Sequence, residues 1–127
     1  MLAAAASVAA ARDHHADEEE DLFPMLLESM AGSDAVCLRE LTAQLSAEHR
    51  ELETDWQHLR LELERVIANP SATLSASDVE TFVGRYERHI EREVRELLPM
   101  AARLLTDEEL DRIGRAMRER RGIADPA

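Results

Sequence analysis

The chain has 127 residues, 45% of them hydrophobic and 3% aromatic, enough apolar surface for one buried core and so for a single domain over residues 1–127. Its formal charge of −12 repels phosphate backbones and anionic lipid, which excludes nucleic acid and membrane surfaces as natural partners. The bulk is Ala, Leu, Glu and Arg, residues that lose little rotamer freedom in a helix, so the expected fold class is all-α.

In chain order, Met1 to Val8 has a signal-like look but lacks a positively charged start, and no apolar run approaches the roughly 20 residues of a membrane span. Cys37 stands alone, so no intrachain disulfide forms and a cytoplasmic location is expected; its side chain reads as a small core residue. A first helix runs from near the N-terminus to about Met30 and stops at Gly32-Ser33-Asp34, where Gly offers a left-handed cap. A second runs from about Asp34 to Ile67 and stops at Asn69-Pro70. Ser77-Asp78-Val79-Glu80 reads as a capping box opening a third helix that reaches about Leu105. Thr106-Asp107-Glu108-Glu109 is a second capping box, opening a short fourth helix that ends near Arg121-Gly122.

The apolar stripe of the second helix passes through Leu38, Leu41, Leu45, Leu52, Trp56, Leu59, Leu63 and Val66, with His49 filling its one gap. On the third helix Val79, Phe82, Tyr86, Leu97, Ala101 and Leu104 enclose His89 and Glu93; on the first, Val8, Ala11, Leu22 and Met25 bracket His14 and Glu18. Three helices therefore turn ionisable groups toward the core. Burying several carboxylates together is costly without a positive partner. Residues four apart lie one above the other on a helix face, so His14 with Glu18, His49 with Glu53 and His89 with Glu93 each aim an imidazole and a carboxylate at one point.

Two of these units belong to a longer repeat. Setting His14 on His89 also sets Glu18 on Glu93, Leu22 on Leu97, Phe23 on Leu98, Pro24 on Pro99 and Met25 on Met100. Such a repeat puts two carboxylates at equivalent places beside a bundle axis, where each bridges a pair of metals. Nitrogen and oxygen ligation without thiolate suits iron, manganese or zinc, and the ferritin-like Glu-x-x-His spacing is absent. The remaining charged residues read as surface: Asp17, Glu19, Glu20 and Asp21 as a solvated face, His58 likewise, and the arginines from Arg112 to Arg121 as partners for acidic groups. His15 substitutes for His14 if the helix rotates.

The run His14-His15-Ala16-Asp17-Glu18 through Leu22-Phe23-Pro24 resembles the second-helix motif of bacterial hemerythrin-like proteins. Ala47-Glu48-His49-Arg50-Glu51-Leu52-Glu53 resembles the third-helix motif, and His89-Ile90-Glu91-Arg92-Glu93 through Leu97-Leu98-Pro99 the fourth. The resemblance implies an up-and-down four-helix bundle with a non-heme di-iron centre. By position it makes Glu18 and Glu93 bridging carboxylates, His14 a ligand to one iron, and His49 and His89 ligands to the other. Glu53 takes a place that is histidine in some relatives and is a further candidate ligand. It also implies dioxygen or another small diatomic molecule as ligand, in oxygen binding or sensing or in iron and redox homeostasis, rather than dedicated catalysis. The alternatives are a di-iron enzyme reducing peroxide or nitric oxide, and a metal-free helical interaction module. The family's usual first helix carries a further histidine, and none precedes His14. Three expectations stay open: the true start lies further upstream, a second subunit in a homodimer supplies the helix, or the site works one ligand short in a truncated bundle whose seam the short C-terminal helix from Thr106 partly covers.

Overall fold

The structure is a computed structural model that describes residues 10–29 and 34–123. Those residues form four helices and no strand, the all-α class expected from composition and periodicity. Helix α1 covers residues 10–29, α2 Asp34–Ala68, α3 residues 76–104 and α4 Asp107–Arg120. No helix among the described residues is long and apolar enough to cross a membrane. The expected stop at Gly32-Ser33 and the stripe position Val8 lie outside the described residues.

Two of the helices are interrupted by wider π-helical turns, Asp17–Leu22 in α1 and Glu93–Leu97 in α3. In each, a backbone N–H reaches five residues back: Phe23 donates to the Glu18 carbonyl, and Leu98 to the Glu93 carbonyl. The next residue is Pro24 or Pro99, which has no N–H and whose ring crowds the carbonyl four residues before it. A widened turn relieves that crowding and places the residue before the proline in a five-step bond. The sequence repeat is thus a repeated backbone feature whose first carbonyl belongs to Glu18 or Glu93.

Helix ends follow side-chain chemistry. Thr106 and Glu109 form the expected reciprocal capping box. Gly122, at φ 71°, closes α4, and Ile123 N–H donates to the Arg118 carbonyl. The third helix corrects its expected start: the N-cap is Ser75, whose side chain accepts from Asp78 N–H, so α3 opens at Ala76. Ser75 and Ser77 offer the same hydroxyl, and capping at Ser75 lets two more residues form helical bonds.

Contacts divide the chain into two compact units, Met1–Ala43 with Pro99–Ala127, and Gln44–Leu98. In the first, Phe23, Leu26, Leu38, Ala101, Leu105 and Ile113 are buried. Helices α1 and α4 run antiparallel there. Ser29 Oγ donates to Glu109 Oε2 at 2.9 Å at one end, and Arg120 and Arg121 bind Asp17 at the other. The second unit is an antiparallel hairpin of the α2 and α3 segments, joined by Arg85–Asp55 at 2.7 Å and a ring series Trp56, Phe82, Tyr86. Leu45, Leu52, Leu59 and Leu97 are its buried aliphatic residues.

The inward stripe of α2 is Leu38, Thr42, Leu45, His49, Leu52 and Leu59, with half-buried Trp56, in alternating steps of four and three. Thr42 rather than Leu41 takes the second place, its hydroxyl donating to the Arg39 carbonyl. Cys37 is exposed, against its expected place in the core, because it lies one residue before the stripe position Leu38.

Candidate metal centre

Within the second unit, α2 and α3 bring His49, His89 and Glu93 together, all buried, with donor atoms within 4.8 Å of one another. His49 Nε2 and His89 Nε2 are 3.1 Å apart. Glu93 Oε1 lies 2.7 Å from His89 Nε2, along one helix face, and 3.7 Å from His49 Nε2. His49 occupies a stripe position of α2, and Glu93 opens the π-helical turn of α3, so buried positions on two helices aim both side chains at one place.

Two imidazole nitrogens and a carboxylate oxygen meeting in a buried space make a donor set with more lone pairs than one shared proton can satisfy. A cation accepts from all three, and nitrogen with oxygen is the ligand mixture that suits iron, manganese or zinc. The residues therefore fit a transition-metal ion. His89 is where protons compete for this place. Burial disfavours its imidazolium, but hydrogen bonds to Glu93 and Glu48 and the charge of Glu93 outweigh that, holding its pKa above the ordinary histidine value.

In the first unit, Glu18 is buried on the π-helical turn of α1, and His14 Nε2 lies 2.9 Å from Glu18 Oε1. The His14 side chain is 53% exposed, whereas the adjacent His15 is half-buried. Glu53 is exposed and stands outside the clustered donor atoms. The alternation of α2 explains this: after His49 the next inward position is Leu52, three residues on, and Glu53 falls past the stripe.

Two charged residues prove more than surface. Asp17, expected on a solvated face, is buried; Arg120 Nη1 and Arg121 Nη2 hold it at 2.6 and 2.7 Å. Burial pushes the Asp17 carboxyl up, but hydrogen bonds from Arg121 and Arg120 pull it further down, leaving it below the usual carboxylate range. Arg120 also binds Glu20 and Asp21 at 2.8 Å, so the arginines do pair with acidic groups as expected. Glu48, which sequence reasoning did not single out, accepts from His89 Nδ1 at 2.9 Å. A hint was available in its place beside His49, one turn-edge away from the stripe.

Comparison with known proteins gives two similarities. Residues 2–101 match the hemerythrin HHE cation binding domain family. A protein of Haemophilus influenzae described as uncharacterized is 32% identical over 112 residues, covering 88% of this chain and 62% of its own length. The chain thus spans less than two thirds of that relative. No solved structure matches it.

Proposed function

We propose, because this chain belongs to the hemerythrin HHE cation binding domain family, that it is a non-heme di-iron protein that binds dioxygen or another small diatomic ligand in oxygen sensing or iron and redox homeostasis. The observation that carries the reading is the meeting of His49 Nε2, His89 Nε2 and Glu93 Oε1 in a buried space. His49 and His89 would hold one metal, and Glu93 would bridge it to a second. The sequence repeat supports Glu18 as the matching bridge. For the remaining imidazole, burial favours His15 over His14.

Bound iron would supply one-electron chemistry and an open coordination position for a small ligand. The chain's own part is to orient donors and limit access. Leu45, Leu52 and Leu97 are buried aliphatic residues of the unit that holds the histidines, and apolar walls slow the exit of charged species. His89 must give up the proton that its two carboxylate neighbours favour before its Nε2 can ligate. The net charge of −12 keeps nucleic acid away.

The test is anaerobic loading with ferrous iron followed by exposure to air and, separately, to nitric oxide. Near-ultraviolet charge-transfer absorption that changes with each gas is the expected result. A ferrous-loaded protein with no spectral response to either would overturn the assignment of a diatomic ligand.

A further inference from the structure

The Nδ1 side of His89 faces away from the ligand cluster and meets a carboxylate that is itself held. Glu48 Oε1 lies 2.9 Å from His89 Nδ1, and Glu48 Oε2 lies 3.2 Å from Arg92 Nε. The Glu48 side chain is 19% exposed and that of Arg92 30%, so this chain of contacts leads from solvent to the buried ring. A cleft of about 180 Å³, lined in part by Glu48, His89, Arg85 and Arg92, opens on it.

A neutral imidazole carries one N–H, and where it sits decides what the other nitrogen can do. With the proton on Nδ1 and bound to Glu48, Nε2 presents a lone pair to the space shared with His49. With the proton on Nε2, the ring points that N–H at Glu93 Oε1, 2.7 Å away, and its Nε2 lone pair is lost to a cation. Glu48 and Glu93 therefore compete for the same proton across one ring. Arg92, one turn along α3 from His89, places its positive charge 3.2 Å from the second oxygen of Glu48, an ion pair without hydrogen-bond alignment that favours the carboxylate staying beside Nδ1.

We propose that Glu48 is a positioning residue for the metal centre: held by Arg92, it fixes the tautomer and orientation of His89 that present Nε2 to a cation. This rests on the metal-binding reading above. Carboxylates in that place tune histidine ligands elsewhere by about 10–100-fold in metal affinity.

The experiment uses the full chain, with zinc ion alone as probe, titrated against a chromophoric chelator. Glu48→Ala is expected to weaken zinc binding by about tenfold or more. Glu48→Gln should restore most of it, since an amide oxygen accepts the same N–H, and Arg92→Ala should fall between. In zinc-loaded protein, the His89 Nδ1–H nuclear magnetic resonance signal should persist in wild type and Glu48→Gln and vanish in Glu48→Ala. Wild type that binds zinc, with a Glu48→Ala variant of unchanged affinity and a retained Nδ1–H signal, would overturn the role of Glu48 alone. Wild type that fails to bind zinc would overturn the metal reading and this role with it. If Glu48→Ala does not fold, Arg92→Ala decides: affinity equal to that of Glu48→Gln and of wild type sinks the proposal.

Discussion

His49 Nε2 and His89 Nε2 face one another at 3.1 Å across two antiparallel helix segments, with Glu93 Oε1 beside both. Without a cation, a proton must hold this contact together, and the hydrogen bonds of His89 to Glu93 and Glu48 hold its pKa above the ordinary histidine value. Two opposite pH trends follow. A group whose folded pKa is raised adds stability that is fully present below its unfolded value, near 6.5, and is lost as pH rises through the folded value. Metal-free protein should therefore lose His89-linked stability as pH rises above neutral, while metal affinity rises over the same range as the proton is displaced. Thermal melts and chelator competition from pH 5.5 to about 8.5 measure both, the window spanning the ordinary histidine pKa. His89→Gln should flatten both curves.

Removing a donor should cost the metal and the stability it brings. His89→Ala and Glu93→Ala are expected to abolish the rise in melting temperature that added metal gives wild type. That rise corresponds to about 2.7 kcal/mol at a hundredfold excess over the dissociation constant. Differential scanning fluorimetry with and without metal reads it directly. Glu53→Ala, at an exposed position outside the cluster, should keep the rise.

The Asp17 clamp makes a prediction in acid. Its lowered pKa gives stability that is present above the ordinary carboxylate value, 3.8, and lost as pH falls through the folded value. At pH 7, Asp17→Ala should destabilise by about 2 kcal/mol, below the range for fully buried pairs because both arginines are partly exposed. Urea titrations at pH 7 and near pH 3 test this: the gap between variant and wild type should narrow at the lower pH.

Proline 99 tests the π-helical turn. Pro99→Ala restores an N–H and removes the ring that crowds the Arg95 carbonyl, so Leu98 N–H is free to leave Glu93 for the ordinary four-step bond. Metal-free protein should gain stability, by up to the roughly 3 kcal/mol that separates proline from alanine inside a helix. Metal affinity should fall as Glu93 turns with its backbone. A variant that gains stability and keeps full affinity would show that the widened turn is not needed at the site.

Much of this was legible in the chain itself. Regular signals carry local information: the Thr106 capping box, the Gly122 stop and the helical steps around His49, His89 and Glu93 all report on neighbours within about a turn. What could not be read depends on pairing between segments far apart in sequence. Asp17 looked like one acid in a charged run, because its partners lie 103 and 104 residues away. Glu48 looked like an ordinary polar neighbour, because its partner His89 is 41 residues on. Glu53 had the right spacing from His49, yet the three-four alternation of α2 turns it outward, whereas Glu93, at the same spacing from His89, opens a widened turn and stays buried.

Metal stoichiometry tests most directly whether the buried histidines and carboxylates hold the proposed pair of metal ions. Wild-type protein loaded anaerobically with ferrous iron, desalted and assayed for metal should retain about two irons per chain, as bundle carboxylate–histidine centres do. Glu93→Ala, assayed in parallel, should retain less than half of that. Folded wild-type protein that emerges without metal, or a Glu93→Ala variant that keeps the full complement, would contradict that proposal.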